Sequence, residues 1–497
     1  MIKAVIFDFG GVIAEEGFRQ GLFDIANANG KDSEFIFNSA VDLIHKPNGY
    51  VVGKASEASW WNELRVLTGI AGSDSKLREI ILGRFVVRPE MMKIVNSLKS
   101  KGYIVSILSD QTNWLDELDS RNPFSHAFRY VFNSYYIHKS KRDHTVFRDA
   151  CGTIGVRPEE VLFIDDNEDN TERAREEGLN TICFRDIDSF RSELKMSISG
   201  PVPDNALFDC IIVGASPGGL QAAIYLGRYN RQVLLIDRGG GRTRHAAHIE
   251  NYFGHRRISG LEIITLGLEQ ARSFNVRILE GAVSNIRKKQ EFEVAAEDSI
   301  YRSKNLIVAT GGRDNIPEVA NVSRFFAESF FTCLDCDGYR ATGKKLVILG
   351  NSIQSVRLAF AMKQIYTKDI GLILSSYEPP ESYVEELKSE GIRLISGRPV
   401  RIIGKDRMES IELADGRSID CEVIMSNFDL TLNDEFLSGL NLKKDSSGIR
   451  YVTDRNYESS VKGLFILGPL TGHDQVAIAV GEGAISAIEI NGRLLDL

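Results

Sequence analysis

Hydrophobic positions along the chain repeat one theme at three places. "KAVIFDFGGVI" from Lys3, "FDCIIVGASPGGLQAAIYL" from Phe208 and "KKLVILGNSIQSVRLAFAM" from Lys344 each begin as a β-branched apolar run, pass through small or glycine residues, and continue with helical spacing. Strand, turn and helix in that order predict parallel α/β structure. Strands are also expected at "YIVSILSD" and "VLFIDD". Between the first strand and those two, residues 16–87 carry a helical pattern, which predicts an insert over the strand ends where open α/β sheets bind their ligands.

The pattern lapses once, in "SELKMSISGPVPDNALF", a polar stretch with two prolines and no apolar period. A linker is therefore expected over 196–207, separating a unit at 1–195 from a second unit that contains two nucleotide-type turns. With 497 residues, 43% hydrophobic and 26% charged, the chain is long enough for several cores. Its net charge of −8 is interspersed, which argues against a nucleic-acid surface. Asp8 interrupts the apolar start, so neither a signal peptide nor a membrane span is expected there and the cytoplasm is the default. Six cysteines in such a length form no secreted disulfide framework. Cys151, Cys183, Cys210 and Cys421 are expected as small core residues.

The other two cysteines stand in "TCLDCDGY" as Cys333 and Cys336. From the spacing alone, half a zinc site, a redox disulfide and two unconnected thiols are all open. Zinc would want two more Cys or His ligands at similar spacing, and none lies near. In the first unit Asp8, Ser109, Lys141 and the Asp165–Asp166 pair are expected at strand ends. A nucleophilic carboxylate, a hydroxyl and an ammonium to hold a phosphoryl group, and two acids for Mg²⁺ make a phosphoryl-transfer site. In the second unit Gly214, Ser216 and Gly219 form a dinucleotide-type turn, and Asp237 closes the next strand at a spacing suited to a ribose contact.

The order and spacing of "IFDFGG", "SILSD", "HKSKRD" and "LFIDDN" resemble the haloacid dehalogenase-like hydrolases over about residues 1–195. The resemblance implies a Rossmann-like domain with a small helical cap, Asp8 as nucleophile, Ser109 and Lys141 as positioning groups, and Mg²⁺ held by Asp8, Asp165 and Asp166. Phosphatases of that family carry an acid/base aspartate two residues after the nucleophile, and here that residue is Gly10. Loss of such a group costs ~10²–10⁴-fold in rate, so the domain is expected either as an altered hydrolase or as a structural or regulatory unit.

Across about residues 207–495, "IIVGASPGGL", "IENYFG", "LIVATGG", "CLDCDG" and "GLFILGPLTGHDQVAIAVGEGAISAIE" together resemble the low-molecular-weight thioredoxin reductase flavoproteins. The resemblance implies an FAD-binding domain at 208–325 and 456–497, interrupted by an NAD(P)-type domain at 326–455 that carries the cysteines. By the same resemblance Gly214, Gly218, Gly219, Asp237, Asn251, Thr310 and Gly311 would line the flavin, with Gly468 and Gln475 near its other end. Cys336 would face the flavin, Cys333 would exchange with substrate, and Asp337 would move the proton. The family's acidic residue after Gly468 is replaced by Pro469, which offers no side-chain hydrogen bond.

The second nucleotide turn departs further. Asn351 and Ser352 follow Gly350 where glycines belong, and Ser375, Ser376 and Glu378 stand where a basic cluster would grip a 2′-phosphate. NADPH is therefore not expected. The implied reaction is that of the family's dithiol oxidases: a small-molecule dithiol reduces the disulfide, FAD takes the electrons and O₂ reoxidises it. A thioredoxin-like protein substrate with NADH, ferredoxin or another donor is the alternative, and a non-catalytic flavin-binding scaffold the third reading. A homodimer is implied by resemblance.

Overall fold

A computed structural model of the chain describes residues 1–198 and 206–495. The chain divides into two compact units, one N-terminal and one C-terminal. Most of the linker expected over 196–207 lies outside the described residues. Its flanks belong to regular elements, since the helix Ile187–Ile198 runs past the expected end at 195 and a strand begins at Leu207.

In the N-terminal unit five parallel strands, β1 (Ala4–Phe7), β2 (Ile104–Ser109), β3 (Tyr130–Asn133), β4 (Val161–Asp165) and β5 (Asn180–Cys183), lie in the order β3-β2-β1-β4-β5. All four side chains of β1 are fully buried, as a strand covered on both faces requires. The order reverses between β1 and β4, so the residues just past their carboxyl ends face the crevice of the sheet. Over it stand the helices Gly17–Ala28, Ser33–Ile44, Glu57–Thr68 and Asp74–Leu82. Three of them start on a side-chain cap: Glu16 accepts from Arg19 N at 2.7 Å, Asp32 from Phe35 N at 2.6 Å and Ser56 from Ser59 N at 3.1 Å. Trp60 and Trp61 of the third helix pack on Trp114, with ring centroids 5.9 and 6.2 Å from it.

In the C-terminal unit β6 (Leu207–Val213), β7 (Val233–Asp237), β8 (Arg277–Glu280), β9 (Val283–Lys288), β10 (Phe292–Ala296) and β11 (Ser299–Val308) form one sheet in the order β8-β7-β6-β11-β10-β9. Leu464–Ile466 joins β11 in parallel. The helix Pro217–Arg228 follows β6 and packs on the last long helix, Val476–Leu494. A Cβ on Gly218 would stand 2.9 Å from Ala479 O, and one on Gly483 would stand 2.1 Å from Gly218 O. Glycine is what lets these two helices approach.

A second parallel sheet runs in the order Phe330–Phe331, Val423–Asn427, Leu346–Gly350, Ile370–Leu374, Arg393–Leu394. The chain crosses between the two sheets through a ribbon that pairs Gly312–Asp314 with Leu430–Leu432. This shifts the expected boundaries at 325 and 455. Val319 and Phe325 already pack in the core of the second sheet, whereas Asn433, Glu435 and Phe436 have already returned to a cavity of the first.

Candidate active sites

In the N-terminal unit the sheet brings Asp8, Ser109, Lys141, Asp165 and Asp166 together. Asp8 follows β1 directly and is held by β4 through Asp8 N to Ile164 O at 2.8 Å. Ser109 Oγ donates to Asp8 Oδ1 at 2.6 Å, and Lys141 Nζ lies 2.9 Å from Asp8 Oδ2 and 2.6 Å from Asp165 Oδ2. Lys141 is not at a strand end, as expected, but in the turn between the helices Ser134–Ile137 and Thr145–Ile154. Asp110 fixes that turn by accepting from Lys141 N at 2.9 Å. Burial works against the charge of Lys141, and Asp165, Asp8 and Asp110 around it outweigh burial and keep it protonated.

Burial pushes the Asp8 carboxyl up to about 7, with Lys141 drawing it back down. Asp166 is raised by burial and then by its neighbour Asp165. One oxygen from each of Asp8, Asp165 and Asp166 lies within 4.8 Å of the others, which suits the all-oxygen shell of a hard divalent cation. Asn167 N and Asn170 Nδ2 donate to Asp165 at 2.9 and 3.1 Å, orienting it. Gly11 makes room for Asp166, since a Cβ there would stand 2.0 Å from Asp166 Oδ2. A cavity of about 800 Å³ opens in front of Asp8, with Gly10 in its wall and Glu16, Arg19, Phe37 and His45 of the helical insert on its other side. Asp110 and Asn170 were missed in the sequence although each neighbours a motif.

In the C-terminal unit a cavity of about 410 Å³ runs along the carboxyl ends of β6 and β7. Of the residues expected at a flavin, Gly214, Ser216, Asp237, Thr310, Gly311, Gly468 and Gln475 line it. Gly214 has φ +102°, and a Cβ there would stand 2.5 Å from Ala309 O, so the turn admits only glycine. Ser216 caps the helix Pro217–Arg228 by accepting from Gly219 N at 3.3 Å. Asp237 accepts from Ala215 N at 3.0 Å and closes the turn. A glycine-walled cleft at a helix start with an acid at the next strand end fits the pyrophosphate and ribose of a dinucleotide.

Two expected residues are absent from this wall, and a third faces elsewhere. Gly218 and Gly219 serve close packing instead, against Ala479 O and Gly214 O. Asn251 Nδ2 donates to Gln475 Oε1 at 3.1 Å and to Asp335 O at 3.4 Å, in the cysteine turn. Sequence reading missed Asn433, which exchanges hydrogen bonds with Thr310 at 2.7 and 2.9 Å. It also missed Glu482, buried, which accepts from Gly468 N at 2.5 Å and pairs with His473 Nδ1 at 2.8 Å. Asp474 lines the cavity beside Pro469 and pairs with Arg242 at 3.0 Å.

Cys333 and Cys336 are joined in a disulfide. The turn is local: Cys336 N donates to Cys333 Sγ at 3.1 Å. Gln475 Nε2 approaches both sulfurs, at 3.5 Å from Cys333 Sγ and 3.7 Å from Cys336 Sγ. The disulfide is thus joined to the cavity through one side chain. Burial raises the Asp337 carboxyl, and Arg340, 3.1 Å away, opposes that. Cys151, Cys210 and Cys421 are buried as expected, while Cys183, at the end of β5, is half-buried beside Asp166.

At the second turn Ser375 N donates to Gly350 O at 2.8 Å, and Ser376 adopts a left-handed φ of 57°. Residues 375–387 contain no Lys or Arg and four Glu.

The pyridine nucleotide-disulphide oxidoreductase family model matches residues 208–483, and the haloacid dehalogenase-like hydrolase model matches residues 2–178. A 34.2 kDa protein in the rubredoxin operon of Clostridium pasteurianum is 28% identical over 296 residues, 56% of this chain and 95% of its own length. The thioredoxin reductase of Mycoplasmopsis pulmonis is 26% identical over 304 residues, 58% of this chain and 98% of its own. The solved thioredoxin reductase from Streptococcus pyogenes MGAS5005 superposes with a TM-score of 0.55 at 25% identity, over 59% of this chain and 100% of its own. No helix among the described residues is long and apolar enough to cross a membrane.

Proposed function

Because the chain belongs to the pyridine nucleotide-disulphide oxidoreductase family and carries a haloacid dehalogenase-like hydrolase domain ahead of that region, we propose that it oxidises a small-molecule dithiol to a disulfide, with FAD as its bound acceptor and O₂ as the final one. The observation that carries this reading is Gln475, which lines the glycine-walled cavity and touches both sulfurs of the Cys333–Cys336 disulfide. Gly214, Ser216, Asp237, Thr310, Gly311 and Gly468 would hold the FAD. When bound, FAD would supply a two-electron acceptor for the electrons that leave the dithiol.

A substrate thiolate attacks Cys333, and Cys336 leaves as a thiolate. The second substrate thiolate then releases Cys333 by closing the substrate's own S–S bond. Two S–H bonds are lost, one S–S bond forms, and two electrons and two protons end in H₂O₂. Asp337, whose carboxyl is raised by burial, exchanges the proton that accompanies each thiolate.

The outward direction is supported by the second turn, where Ser375, Ser376 and Glu378 offer no cation for a 2′-phosphate. Anaerobic mixing of the oxidised protein with NADPH tests it: the flavin band stays, whereas a dithiol bleaches it and admission of air returns it with H₂O₂. Rapid full bleaching by NADPH would overturn the reading. Relatives named thioredoxin reductase favour a second reading, reduction of a thioredoxin-like disulfide with NADH or ferredoxin as donor, which assays with those donors check. A homodimer belongs to the proposal and is read by analytical ultracentrifugation.

For the N-terminal domain we propose a phosphoryl-binding site of low hydrolytic activity. Asp8, Asp165 and Asp166 would hold Mg²⁺, which supplies charge neutralisation for a phosphoryl group. Ser109 and Lys141 keep Asp8 aimed into the cavity.

A further inference from the structure

We propose that the Gln475 carboxamide, aimed by Asn251, donates a hydrogen bond to the thiolate formed when the Cys333–Cys336 disulfide opens, and so sets how readily that disulfide is reduced. The inference rests on the redox reading above and assigns the pair Asn251 and Gln475 to the sulfurs rather than to the flavin alone.

An amide has an oxygen that only accepts and a nitrogen that only donates. Asn251 Nδ2 occupies Gln475 Oε1 at 3.1 Å, so the Gln475 NH₂ is the end turned to Cys333 Sγ at 3.5 Å, while Cys336 Sγ stands 3.7 Å from both Nε2 and Oε1. Asn251 is itself tied to the cysteine turn through Asp335 O at 3.4 Å. The orientation is therefore fixed from the turn that carries the sulfurs. Asp474 Oδ1, 3.4 Å from Nε2, is the amide's other acceptor.

A disulfide sulfur is a weak acceptor and a thiolate a strong one. The same N–H therefore binds the reduced state more tightly than the oxidised state and draws the equilibrium toward reduction. Nearby charge works the other way. Asp335 and Asp337 share the cysteine turn, Asp474 adjoins Gln475, and Glu250 bonds Arg340, so Arg340, already paired with Asp337 at 3.1 Å and Glu250 at 3.0 Å, is largely spent. Among the described side chains, Gln475 is the neutral donor that reaches both sulfurs.

Full-length protein and the variants Gln475→Leu, Gln475→Glu, Asn251→Ala and Asn251→Ala/Gln475→Leu are equilibrated anaerobically with graded ratios of reduced and oxidised dithiothreitol. In the exchange two S–H bonds of dithiothreitol break, its ring S–S bond forms, and two electrons and two protons pass to the cysteine pair. Alkylation and mass spectrometry of the 333–336 peptide give the reduced fraction, and absorbance gives the flavin content of the same samples. Gln475→Leu should shift the equilibrium toward the disulfide about ten-fold or more, the weight of a hydrogen bond to a charged acceptor. Gln475→Glu, the same shape without the donor, should shift it further. Asn251→Ala, at an exposed position, should shift it less and add nothing in the double variant, since the two act through one bond. A Gln475→Leu equilibrium within two-fold of wild type, or shifts that simply add, would overturn the inference. Should Gln475→Leu not fold, Asn251→Ala within two-fold of wild type overturns it equally. A wild-type pair that dithiothreitol fails to reduce at any ratio would overturn the redox reading itself.

Discussion

Gly10→Asp would supply the acid/base that the proposed phosphoryl site is expected to lack, and the structure has room for it. Gly10 lines the cavity in front of Asp8, its φ lies outside the left-handed region, and a Cβ there would meet Phe85 Cε1 at 3.4 Å and Gln111 Nε2 at 3.6 Å. Those are ordinary contacts. The carboxyl would enter a neighbourhood where burial already raises Asp8, Asp166 and Glu16, which favours a protonated acid ready to meet a leaving group. A positioned acid/base contributes ~10²–10⁴-fold, roughly 3–5 kcal/mol of barrier at 1.36 kcal/mol per decade. The expected outcome is a rise of about two decades in kcat/KM for p-nitrophenyl phosphate with Mg²⁺ over wild type. Gly10→Ala should give no rise, and adding Asp8→Asn should abolish the gain. A folded Gly10→Asp protein that hydrolyses no faster would refute the idea that the missing aspartate limits this site. A gain that survives Asp8→Asn would refute Asp8 as nucleophile.

Cys333→Ser and Cys336→Ser should each lower dithiol-dependent O₂ uptake by at least 10²-fold while leaving the flavin spectrum in place; unchanged uptake would favour the scaffold reading. Gly214→Ala puts a Cβ 2.5 Å from Ala309 O at φ +102°, so this variant should purify with little flavin, read from its visible absorbance, whereas Ser216→Ala should lose only ~1 kcal/mol of helix capping. Glu160 is buried, which alone would raise it, but bonds from Arg157 and Lys3 hold it down to about 2. Its folded value lies below its unfolded value of 4.5, so the stabilisation is present above pH 4.5 and is lost as pH falls toward 2. Glu160→Gln should therefore unfold more easily by ~2 kcal/mol at pH 7, an allowance for the exposed Arg157 included, with the gap closing by pH 2–3 in thermal scans.

Strands and turns were legible where one stretch of chain decides its own structure. β1 is wholly apolar and β4 and β6 are apolar but for one aspartate each, Asp165 and Asp209, and Gly214 sits where a side chain would strike Ala309 O whatever lies elsewhere. Asp8, Ser109 and Asp165 follow from the sheet, because a motif at the end of a parallel strand can only face the crevice. Lys141 reached the same site from a turn between helices, which its motif did not reveal. What stayed hidden is decided by partners far away in sequence. Gly218 looks like a nucleotide glycine until the helix ending the chain closes on it through Ala479.

Asn251 is the most instructive case, since its partners Gln475 and Asp335 lie 224 and 84 residues further on. A polar side chain beside a cofactor motif reads as a cofactor ligand when only local order is known. Once the fold sets three segments side by side, its amide has one acceptor on the cysteine turn and another on Gln475, and both lead to the sulfurs. The motif marked where the residue stands, and the tertiary partners decide what its hydrogen bonds do. The same logic runs through Glu482, a carboxylate buried in the last helix that holds Gly468 and His473 in place. With Pro469 unable to bond through its side chain, the loop around the cavity is shaped by a residue fourteen positions away, so substitutions at Glu482 should disturb this cavity as much as substitutions in its wall.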